Sequence, residues 1–93
     1  MKKFVIERIL PGAGNLSAQE LQEVSLGSFA VARQMSQVCH WIQSFVTEDK
    51  IYCIYIAESE EVLREHARLG NIPINTVAEV KAVIDPMTGI PVG

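Results

Sequence analysis

The chain has 93 residues, 48% of them hydrophobic and 20% charged, with a formal net charge of −3. That balance suits a single small domain with one core and excludes a disordered chain. Eight basic residues scattered among eleven acidic ones leave no electrostatic footprint for nucleic acid or anionic lipid, so neither is expected as a partner.

The apolar run after Met1-Lys2-Lys3 stops at Glu7-Arg8, well short of a secretory core segment, and no stretch approaches the roughly 18 to 20 apolar residues of a membrane span. A cytoplasmic protein is therefore expected, with Cys39 and Cys53 as free thiols rather than a disulfide.

"KFVIERIL" reads as a first strand, closed by the turn cluster Pro11-Gly12-Ala13-Gly14. Ser17 stands three residues before Glu20, the capping-box spacing that opens a helix. At 100° per residue Leu21, Val24, Ser25, Ser28, Phe29, Val31, Ala32 and Met35 share one side, an apolar face of small residues suited to lying close on a sheet. Two strands follow, roughly 39–46 and 51–57, joined as a hairpin through the polar run 47–50. A second helix is expected from Ser59 as N-cap to Gly70, with Glu60 and Glu61 favourable in its first turn. "INTVAEVKAVI" supplies the last strand, and residues 86–93 form a tail after a domain of residues 1–85.

The order β-α-β-β-α-β predicts an α+β, ferredoxin-like fold: a four-stranded antiparallel sheet with both helices on one face. "IYCIYIA" is apolar or aromatic throughout, whereas a strand with one wet face should alternate. Both sheet faces are thus expected to be buried, the second by another copy of the chain, in a homodimer with an interface of about 1,200 to 2,000 Å².

His66 lies inside the apolar arc of the second helix and needs its ring nitrogens satisfied, by a core hydrogen bond, in a pocket or by a metal. Glu7 and Glu79 are carboxylates within strands. Were both to face away from the helices, they would enter a chamber between subunits, where burial raises a carboxylate pKa toward acid/base work. The alternative pairs Glu7 with Arg8, Lys81 or a partner subunit. The hairpin register decides the company of Cys53. A two-residue turn at Glu48-Asp49 sets Ser44 opposite Cys53, Ile42 opposite Tyr55 and His40 opposite Ala57; a three-residue turn sets Phe45, Gln43 and Trp41 there. Metal-ligand spacings, a complete phosphate loop and a dinucleotide fingerprint are all lacking.

With "FVIERILPG" at the start, "HWIQSFVTEDKIYCIYIAESEEVLREHARLGNIP" in the middle and "VAEVKAVIDP" near the end, residues 3 to 85 resemble the small bacterial family catalogued as domain of unknown function 4242. Some of its members are described as nickel-binding proteins with a ferredoxin-like fold. The resemblance implies a dimeric α+β barrel enclosing a central cavity. It carries over Glu7, Trp41, Ser44, Cys53, Tyr55, His66 and Glu79 as the pocket-forming set. Imidazole and carboxylate suit nickel or another divalent transition metal, which makes His66 and Glu79 the candidate ligands.

Two functions follow. One is a dimeric binding protein for a small ligand or a divalent metal. The other is a cofactor-independent enzyme of monooxygenase or isomerase type, in which Glu7 or Glu79 removes a proton while His66 or Tyr55 steadies an oxyanion. A purely structural dimer is the third reading, favoured if Trp41, Phe45 and Tyr55 fill the chamber themselves.

Overall fold

A computed structural model describes residues 1–91. Its elements are β1 (Lys2–Ile9), α1 (Ala18–Gln34), β2 (Cys39–Val46), β3 (Lys50–Ala57), α2 (Glu60–Gly70) and β4 (Thr76–Glu79), with 3-10 turns at Ala13–Asn15 and Pro86–Gly89. The strands form one sheet in the order β2-β3-β1-β4, every pair antiparallel, as a ferredoxin-like fold requires. Val92 and Gly93, the end of the predicted tail, lie outside the described residues. Among the described residues no helix is long and apolar enough to cross a membrane.

Local chemistry explains the boundaries. Glu20 N–H donates to Ser17 Oγ and Ser17 N–H donates to Glu20 Oε1, both at 3.1 Å, so the capping box forms as the spacing predicts. Ser59 takes the N-cap position of α2, but its side chain bonds no helix backbone. At the other end Asn71, not a glycine, adopts the left-handed conformation, φ 52°, one residue beyond Gly70.

The cluster 11–14 docks on the hairpin turn. Gly12, at φ 78°, donates its N–H to Asp49 Oδ1, and Gly14 donates to the Glu48 carbonyl. A Cβ on Gly14 would meet Glu48 Cα at 3.0 Å. Those glycines therefore serve a close backbone approach rather than a ligand.

Three expectations are corrected. The last strand spans four residues instead of running through "INTVAEVKAVI", because Glu79 lies opposite Phe4 and the Val80 N–H reaches the Lys3 carbonyl. Beyond that point β1 has only Lys2 left, the first residue of the strand. The chain leaves the sheet before residue 85, and Val83, Ile84, Met87 and Ile90 extend as an exposed apolar arm.

The second correction is the hairpin register. The two-residue turn sets Ser44 opposite Cys53, but a β-bulge between Trp41 and Gln43 then shifts the pairing, so that Trp41 faces Tyr55 and His40 faces Ile56. The half of β2 next to the turn follows the two-residue register, and the half beyond the bulge follows neither expected register, with Cys39 opposite Ala57 where His40 or Trp41 was expected.

The third concerns α1, which lies less closely on the sheet than its small residues suggest. Only Ser28 is buried, while Val24 and Phe29 are more than half exposed.

Phe4, Ile6, Cys53, Tyr55, Ala57, Val62 and Leu63 make the core between the sheet and the helices. On β3 burial alternates strictly, with Ile51, Cys53, Tyr55 and Ala57 inward and Lys50, Tyr52, Ile54 and Ile56 only half covered on the opposite face. Within one chain, that second face stays open.

Candidate functional site

Tyr55 is the point where the layers meet. It is 1% exposed, and its ring stands edge-on to His66 of α2 with centroids 5.4 Å apart. Its hydroxyl lies 3.2 Å from Ser28 Oγ of α1. His66 Nε2 in turn lies 3.1 Å from the Ser28 carbonyl; since a carbonyl only accepts, Nε2 carries the proton. Ser28 is the small residue that lets both contacts form.

Because α1 stands off the sheet beyond Ser28, a part-enclosed cavity of about 240 Å³ remains between them. Its helix-side wall is apolar, from Leu16, Leu21 and Val24, and its floor includes Trp41, Val46 and Ile51. The polar groups run in a short chain, in which Trp41 Nε1–H donates to Ser44 Oγ at 2.9 Å and the Ser44 hydroxyl donates to Cys53 Sγ at 3.0 Å. Without the bulge, Trp41 and Ser44, three residues apart, would point to opposite faces.

Trp41, Ser44, Cys53 and Tyr55 thus line one cavity. His66 supports it from behind Tyr55. Glu7 and Glu79 lie on opposite faces of the sheet, against the expectation of one shared chamber. Glu7 pairs with Tyr52 on the open face, 3.6 Å from Lys50 Nζ, whereas Glu79 pairs with Phe4 and is held by Lys81 at 3.0 Å. That hydrogen bond and the lysine charges hold the Glu79 carboxyl below its ordinary value, the reverse of a raised general acid.

The sequence reading missed Arg8 as a cavity residue. It is 5% exposed, on the core face of β1, and lines the same cavity. Strand alternation carried the signal: Phe4, Ile6 and Arg8 are two residues apart and share a face.

Burial pushes the Tyr55 phenol above its ordinary value, opposed by the Ser28 hydrogen bond and the Arg8 charge. Burial also pushes His66 down; the Ser28 carbonyl works against that shift and Arg8 adds to it. The folded chain then holds a proton on His66 less readily than the unfolded chain. Stability conferred by neutral His66 is complete above the unfolded histidine value of about 6.5 and is lost as pH falls through and below it. The free energy of urea unfolding should fall between about pH 7.5 and 5, by at most about 1.4 kcal/mol per pH unit, and less steeply in His66→Gln. A wild-type free energy that stays flat over that range contradicts the assignment.

A metal does not fit the two residues first considered for it. Among the described residues no three His, Cys, Asp or Glu side chains converge, His66 Nε2 is taken by a carbonyl and Glu79 by lysines.

The family model described as "Nickel responsive protein SCO4226-like" matches residues 4–80. The chain belongs to this SCO4226-like family. The resemblance to domain of unknown function 4242 is compatible with that membership. The fold is also that of the crystal structure of SCO4226 from Streptomyces coelicolor A3(2), with a TM-score of 0.75 at 16% identity over 88% of this chain and 99% of that one. No curated protein matches the chain.

Proposed function

We propose that this SCO4226-like chain is a small-ligand binding protein that works as a homodimer in the cytoplasm. The observation that carries the reading is the cavity between α1 and the sheet, about 240 Å³ and walled mainly by apolar side chains. It is smaller than a drug-sized pocket. An apolar cavity of about 150 Å³ holds a benzene, so this one suits a ligand of about ten non-hydrogen atoms. No glutamate lines it, which favours binding over the acid/base alternative.

Dimerisation is supported by the open face, where the apolar side chains Val5, Tyr52, Ile54 and Ile56 are only partly covered within one chain. The arm after β4 adds Val83, Ile84 and Met87. Its reach gives a radius of gyration of 14.8 Å, against about 12 Å for a compact chain of this length. Face-to-face packing of two sheets would give the α+β barrel. Two buried free thiols suit a reducing compartment.

Trp41 is the sole tryptophan and lies in the cavity wall, so its emission reports occupancy. Titration with 1-octanol should give a saturable change in Trp41 fluorescence. Ser25→Phe, which fills the cavity, should abolish it. An unchanged emission up to about 1 mM octanol argues against the reading.

A second reading, metal binding, is favoured by the family's description as nickel responsive. Since no three such ligands meet among the described residues of one chain, the reading places the site between copies. Calorimetry of tag-free protein with nickel, zinc and copper tests it, and affinity weaker than about 10 µM removes it.

A further inference from the structure

We infer that Arg8 makes the cavity a site for a monocarboxylate, so that the ligand is a small amphipathic acid with its tail between α1 and the sheet and its carboxylate on the guanidinium. The inference rests on the ligand-binding reading above. Arg8 is 5% exposed, its Nε is buried with no hydrogen-bond partner, and no carboxylate among the described residues pairs with it. Its sequence neighbour Glu7 points to the opposite face, toward Lys50. Glu60 is engaged by Arg64, Glu65 by Arg68 and Glu79 by Lys81.

A buried cation without a counter-charge is costly, by several kcal/mol even after relaxation. A guanidinium cannot relieve that cost by losing its proton. An anion entering the cavity can, because the planar fork of donors matches a carboxylate with two parallel hydrogen bonds. Arg8 is the sole cationic residue in the cavity wall, and the rest of the wall is mostly apolar. One positive charge in greasy surroundings suits a monoanion with a hydrocarbon body better than a doubly charged phosphate. Tyr55 and Ser28, close by on the floor and roof, offer hydroxyls beside it.

Octanoate and octanamide have the same heavy-atom count and shape and differ in charge. Each should be titrated against the full-length protein at pH 7.5, with Trp41 emission and calorimetry as readouts. Octanoate is expected to bind at least ten-fold more tightly than octanamide, and Arg8→Met should bring the two within about three-fold of each other. Should Arg8→Met not fold, Arg8→Gln keeps a polar side chain without the charge and is expected to lose the same preference. Equal affinities in the wild type, or a preference that survives in the Arg8 variant, overturn the anion inference and leave the apolar pocket standing. If neither compound saturates below about 1 mM, the ligand-binding reading fails with it.

Discussion

Tyr55→Ala is expected to cost the fold about 3 to 5 kcal/mol, read as a drop in the urea midpoint at fixed protein concentration. A chain of this length commonly has about 5 to 14 kcal/mol in all, so the loss is between about a fifth of the total and the whole of it. The size of the effect follows from position. Tyr55 is almost wholly buried, lies opposite Phe4 on one neighbouring strand and Trp41 on the other, and touches both helices through Ser28 and His66. Removing the ring leaves a void at the junction of sheet, α1 and α2 that none of them can close alone. Tyr55→Phe separates the contributions. It keeps the ring and deletes only the hydroxyl, for about 0.5 to 1.5 kcal/mol. A loss below about 1 kcal/mol in Tyr55→Ala would show that the two helices do not depend on this side chain.

Ile54→Asp is expected to convert the protein from a species of about 20 kDa to one near the 10.3 kDa of the single chain in sedimentation at micromolar concentration, with circular dichroism retained. Ile54 stands in the middle of the open face, paired with Val5 and Gln43 and directed away from the core. In a two-fold interface the substitution enters twice, placing a pair of unpartnered carboxylates in the contact. Burying one such charge costs several kcal/mol, enough to dissolve an interface of ordinary size. The core on the other face, with Cys53 and Tyr55, is untouched. Wild-type protein sedimenting as a well-folded single chain would remove the dimer, and a variant that stayed paired would place the contact elsewhere.

Much of the fold was legible in residue order. The Ser17–Glu20 spacing and the polar run at the hairpin each act locally, so reading them needs no knowledge of distant partners, whereas the glycine cluster's contact with the hairpin turn is long-range. The end of β4 was not legible. Lys81 to Ile84 has a strand's composition, but whether it pairs depends on how far β1 extends at the other terminus. The bulge at Ile42 was hidden for a related reason. Apolar residues on both sides of β2 satisfy either phase, so the sequence does not mark where an extra residue shifts the pairing and brings Trp41 opposite Tyr55. Of the residues expected around a chamber between two sheets, Trp41, Ser44, Cys53 and Tyr55 line the cavity between α1 and the sheet, whereas the glutamates drew attention for being charged in strands and Arg8, charged as well, was read only as a pairing partner. Its alternation with Phe4 and Ile6 was the better guide, because strand parity fixes a direction that charge does not.

The irregularity in β2 also governs how molecules of this protein can meet. A straight outer strand offers its free amides and carbonyls as a template on which foreign strands can grow, and β2, with Ile42, Phe45 and Val46 uncovered, would otherwise be such a template. The extra residue breaks its repeat partway along. At the far side the boundary strand is only four residues long. Lateral, fibre-like growth is thereby discouraged at both rims, which leaves the broad side of the sheet for the proposed pairing of two copies, a contact that would close on itself and stop.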